Sequence, residues 1–185
     1  GVVCVQILVI ILLNFVRAKY IMDYDSICAL TQAAEIWKQK TLFITDWTYQ
    51  TTLGWDSAVP VAALFYGITK NIFTAYGITN CLIVALYLYV FHRICRDLDM
   101  SRVGEYVVYI IVFGPYTWDQ LGYAKMMFTA AGYYSIKSIM SVMAVSILIR
   151  YHKTKKNQQL FCALFELFLF ASSISTTVYE LICCV

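Results

Sequence analysis

Charged residues make up only 14% of this chain, there are only two prolines, and polar residues gather in a few short intervals. With 61% hydrophobic residues and a mean hydropathy of +0.69, the chain has too little polar side-chain surface to coat a water-soluble globule of 185 residues. No GxSxG, HExxH, P-loop or dinucleotide fingerprint occurs, so soluble hydrolase, zinc-protease and nucleotide-hydrolysing readings have no support. The seven cysteines form no CxxC and no Cys/His spacing suited to zinc, and they read as small apolar residues. Net charge is +3, with Lys and Arg grouped at the ends of apolar runs and not interleaved with aromatics along a stripe. No nucleic-acid partner is expected.

What the chain does have is a series of apolar runs, each near the length that crosses a hydrocarbon core of about 30 Å as a helix of about 20 residues. The runs fall at 2–16, 72–91, from 105 to 116, 133–149 and 160–174. The expected fold is all-α: a polytopic membrane helical bundle of about five transmembrane helices, with an interfacial amphipathic helix in the first outer loop. Residues 1–185 form a single membrane domain, without an internal repeat or linker. The chain starts at Gly1 with no signal-peptide pattern and stops beside an apolar run. It is expected to be a piece of a longer membrane module.

Orientation follows from two short basic loops, 93–102 and 150–156, which together hold seven of the fourteen Lys and Arg residues. Basic residues in short loops stay on the cytoplasmic side. The polar interval 22–56 is therefore expected outside, as is the region of Asp119. Within that interval Ile27, Leu30, Ala34 and Trp37 recur at spacings of three and four, so 25–40 reads as an amphipathic helix along the membrane surface. Its polar face carries Thr31, Gln32, Glu35, Lys38 and Gln39. Residues 41–56, with Phe43, Trp47, Tyr49 and Trp55, read as an ordered interfacial loop. Residues 57–69 are apolar but too short to span, and they suit a re-entrant or surface helix with Pro60 in its first turn.

Two aspartates open the polar interval. Asp23 and Asp25 sit where an extended entry meets a helix start, beside the positive end of the helix dipole, which favours ionised carboxylates and contact with a cation. Capping by one and solvation of the other account for the same spacing. Glu166 is about mid-span, where a carboxylate is costly unless paired or facing a polar cavity. Lys137 lies near the outer end of its span and can extend its ammonium to the interface. His92 and His152 belong to the basic clusters.

The order of features is more informative than any one of them. A first span, an outer loop starting MDYDS, an amphipathic AAEIWKQKTLF, an aromatic WTY interval, a proline-led VPVAALFYGITKN and a second span together resemble the membrane-embedded glycosyltransferases of the C superfamily. These include protein mannosyltransferases and aminoarabinose transferases, with bacterial uncharacterised relatives. The resemblance covers residues 2–95 and continues beyond them mainly as topology. It implies transfer of a sugar from a polyprenyl-phosphate-linked donor to a glycan, lipid or protein acceptor outside a bacterial plasma membrane. On that resemblance, Asp25 is the base or metal-contacting acid and Asp23 its partner, with a divalent ion (Mg or Mn) as the possible cofactor. Lys38, Lys40, Lys70 and Lys125 are the candidates for contact with donor phosphate. Some family members carry another acid at the outer start of the fourth span; here Asp119 is the nearest acid, and the span itself begins with Tyr133, Tyr134 and Lys137. The rival classes are a transporter, lined by Lys137 and Glu166, and a non-catalytic membrane scaffold.

Overall fold

The computed structural model describes residues 1–20, 22, 24–44, 47, 57–114, 127–129, 135–155, 158 and 160–162. Among them every regular element is helical. In chain order these are α1 (Val2–Leu12), prolonged by a π turn (Leu13–Arg17) and a 3-10 turn (Ala18–Tyr20), then α2 (Tyr24–Gln39), α3 (Val59–Thr69), α4 (Ile72–Asp97), α5 (Arg102–Val112) and α6 (Ser135–Thr154). Two of them, the continuous Val2–Tyr20 and Ile72–Asp97, are long and apolar enough to cross a membrane. Of the five expected spans, the third is a helix of 11 residues ending at Val112. The fourth is the 20-residue α6, closed by His152 and Lys153. The fifth lies almost wholly outside the described residues.

Local chemistry explains most of the boundaries. The Asn71 side chain accepts hydrogen bonds from the backbone N–H groups of Phe73 (3.0 Å) and Thr74 (3.2 Å), which starts α4. Ser101 Oγ does the same for Gly104 at 3.2 Å and starts α5. Pro60 sits in the first turn of α3, where the missing N–H costs no helical bond. Helices α2 and α3 are followed by Lys40 and Lys70, both with positive φ (58° and 54°), the left-handed conformation that ends helices. Lys70 donates its N–H back to the Tyr66 carbonyl at 2.9 Å, and one residue later the chain reverses into α4.

The α2 periodicity is present, but the buried face is turned from the expected one. Ser26, Ala29, Leu30, Gln32, Ala33 and Ile36 are buried, whereas Ile27 is exposed. The cause is the neighbour: α2 packs on α3 and also touches α4, and its alanines meet Ala62 and Ala63 in a core where small side chains let helix backbones come close. Tyr76 on α4 stitches the contact by donating its hydroxyl to the Ala29 carbonyl at 3.0 Å. Elsewhere α4 is the axis of the fold, touching α1, α3, α5 and α6. Phe128 fills the gap beside it, edge-on to Tyr87 (5.1 Å between centroids) and tilted on Phe113 (5.3 Å).

The core is mainly apolar, yet the first helix also exposes apolar side chains and a few polar groups are buried. Val2, Val5, Leu8, Leu12 and Val16 of the first helix are all more than half exposed, while Asn14, Gln32, Thr79 and Asn80 are buried.

Candidate functional site

Three polar clusters bear on function, and sequence reading passed over the deepest of them. Asn14 lies in the π turn, inside the first long apolar helix. Its Nδ2 donates to the Ile10 carbonyl (2.9 Å) and to the Phe128 carbonyl (2.8 Å), and its Oδ1 accepts from Asn80 Nδ2 at 2.7 Å. One amide thus joins α1, α4 and the 127–129 segment. A π turn shifts the hydrogen-bond register by one residue, and polar partners at such bulges satisfy the displaced carbonyls. The available signal was two asparagines, each within an apolar run, where an amide is expensive unless it pairs across helices.

The second cluster closes the bundle at the far end of α4. Asp97 Oδ2 accepts from Arg150 Nε at 2.7 Å and from Ser146 Oγ at 3.1 Å, and Asp99 Oδ2 accepts from Lys153 Nζ at 2.7 Å. His92 Nδ1 lies 2.7 Å from Glu105 Oε1, which also accepts the Tyr109 hydroxyl at 2.6 Å. The two basic segments expected as short loops lie largely in the last turns of α4 and α6, and these ends are held side by side. A helix of 26 residues rises about 39 Å, longer than the about 30 Å of a hydrocarbon core, so a bilayer centred on its apolar stretch would leave the last turn of α4 outside. Asp97 lies in that turn, past the apolar stretch that ends at Phe91. Burial alone would raise its pKa, but the hydrogen bonds from Arg150 and Ser146 and the nearby positive charges outweigh this and hold its carboxyl below the usual range.

The third cluster is at the opposite end, where α3 turns into α4. The Trp37 indole of α2 lies against Gly67 of α3, in space that any side chain at Gly67 would occupy. Lys40 Nζ stands 3.0 Å from the indole centroid and Lys70 Nζ 5.1 Å from it. Two of the four lysines singled out from sequence thus converge on one ring. Lys38 is highly exposed and pairs with Glu35 on its own helix at 3.3 Å. Asp25 is exposed in the first turn of α2. Fifteen residues of helix separate it from Lys40, about 22 Å at 1.5 Å per residue, so the acid and the lysine pair do not share one pocket.

Asp23, Asp119, Lys125, Tyr134 and Glu166 lie outside the described residues, as does most of the 41–56 loop. Lys137 falls in the first turn of α6. Among the described residues no three His, Cys, Asp or Glu side chains gather as metal ligands, and Cys4, Cys28, Cys81, Cys95 and Cys162 are free thiols. No protein-family model, curated protein or solved structure matches the chain.

Proposed function

We propose that this chain is part of a multi-pass bacterial plasma-membrane protein that transfers a sugar from a polyprenyl-phosphate-linked donor to an acceptor on the outer side. The observation that carries the membrane part is the exposed apolar face of a first helix long and apolar enough to cross a bilayer. Valine and leucine side chains on the first helix face outward, and amides and hydroxyls are turned in. Water favours the reverse arrangement, whereas a bilayer accepts this one. Further support is the distribution of charge along α4, with the basic segments and their paired acids at one end and Trp37, Lys40 and Lys70 at the other. In the five-span topology of this proposal, the first end is cytoplasmic and the second is outside.

The transfer part rests on the resemblance and on the exposure of Asp25, in the first turn of a helix that starts four residues after the first long apolar helix ends. A carboxylate there would take the proton of an acceptor hydroxyl, or hold a divalent ion with Asp23. In the full-length protein, Asp25→Asn is expected to abolish transfer from a lipid-phosphate donor while membrane insertion is unchanged. Normal transfer by that variant would remove Asp25 from the mechanism. The separation of Asp25 from the lysine pair favours one second reading, a non-catalytic membrane scaffold in which Asp25 only favours the helix start. Full-length protein that inserts correctly but transfers no sugar from any lipid-phosphate donor would favour that reading.

A further inference from the structure

Lys40 and Lys70 come from two different helix ends and place their charges on one indole, where they repel each other. Neither makes an ion pair among the described residues. The acid nearest in sequence on α2, Glu35, is engaged by Lys38 and by Gln39 at 3.4 Å. Both lysines also sit in the left-handed conformation, where glycine fits without strain. Exposed apolar side chains adjoin the pair in sequence, Leu42 and Phe43 after Lys40 and Leu64 and Ile68, one turn apart on α3, before Lys70, together with the exposed polar Lys38, Gln39 and Asn71. Two cations with no counter-ion among the described residues, an aromatic ring and exposed apolar side chains match the parts of one ligand: a negative headgroup with acyl chains attached.

We propose that Trp37, Lys40 and Lys70 bind the phosphate ester of an anionic lipid, with Gly67 as the seat that lets the indole carry both ammonium groups. The headgroup oxygens bridge the two lysines and offset their repulsion, and the chains lie over Leu64 and Ile68. The inference rests on the membrane part of the proposed function and does not depend on sugar transfer.

The test uses the full chain with vesicles of phosphatidylcholine alone or mixed with phosphatidylglycerol, scoring flotation with the vesicles and, by native mass spectrometry after extraction, the lipids retained. The wild type is expected to float with both vesicles and to retain phosphatidylglycerol in preference to phosphatidylcholine. Charge removal by Lys40→Gln or Lys70→Gln should weaken that retention about fivefold, and by both about 25-fold. Lys40→Gly with Lys70→Gly should lose the lipid while the melting temperature stays level or rises, which separates binding from folding. Gly67→Ala should displace the indole and lower retention with both lysines still present. Retention by the double glutamine variant equal to wild type, or equal retention of the two lipids by wild type, overturns the site. Release of the lipid by millimolar inorganic phosphate would make it a free-anion site and overturn the lipid assignment. Wild-type protein that does not float overturns the membrane reading itself, a result distinct from intact flotation without lipid preference.

Discussion

Asn14 shows how much one side chain can hold. Its amide makes three hydrogen bonds to three parts of the fold, and truncating it removes the bonds to the Ile10 and Phe128 carbonyls and from the Asn80 amide at once. Asn14→Ala is expected to destabilise the protein by about 1–3 kcal/mol. Asn80→Ala made in the Asn14→Ala background should then add much less than it does alone, because the two amides act as a pair. Thermal unfolding in detergent for the four proteins of that cycle checks this, and simple additivity would refute the pairing. Asp97 offers a second test at this scale. Its folded-state pKa lies below the unfolded value, so its stabilising contribution is present above the unfolded pKa of about 3.9 and is lost as pH falls through the folded one. Acid should therefore loosen the α4–α6 contact below about pH 4. In Asp97→Asn that acid-dependent component should be missing from a melting-temperature profile between pH 3 and pH 7.

At the scale of elements, the close approaches matter more than the caps. Phe15, in the π turn, lies on Gly77 of α4, where an added Cβ would come within 2.7 Å of the ring. Gly77→Val should push the first helix away from α4 and cost about 1–3 kcal/mol, whereas an added Cβ at Gly104 on α5 meets nothing nearer than the flexible end of Met100 at 3.1 Å, so Gly104→Ala should cost much less. Unfolding midpoints of the two variants compare them directly. Some helix positions were legible in the sequence: the expected start of α2 at Asp25 is observed at Tyr24, and Pro60 stands in the first turn of α3, whereas the span expected to begin at Glu105 is a helix of Arg102–Val112. The rotation of the α2 face was not legible. Ile27 and Ile36 are both apolar, and only the presence of α3 decides which of them is covered.

For the whole molecule the decisive quantity is what surrounds it. If lipid covers the first helix, Leu8→Arg should impair membrane insertion by about 2.5–3.5 kcal/mol, whereas on a water-facing surface it would change stability by at most about 0.5 kcal/mol. Glycosylation mapping of inserted and uninserted fractions reads the difference. The orientation has its own measurement, in protein whose native cysteines are replaced. A cysteine at Lys40 should react with a membrane-impermeant maleimide in intact cells, and one at Asp99 should react only after permeabilisation. Labelling of both, or the reverse pattern, would overturn the assigned sides.

By itself the sequence determined the helical class, the start of α2, the place of Pro60 in α3 and the excess of apolar residues. These depend on composition and on hydrogen bonds reaching two to four residues along the chain. The tertiary structure alone decided that Asn14 meets Asn80, 66 residues away, and that Asp97 meets Arg150, 53 residues away. It also put Lys40 and Lys70 on one indole while leaving Asp25 the length of a helix from them. The physical reason is that periodicity states which residues avoid water, but the pairing of polar groups inside the bundle depends on which helix faces lie against each other.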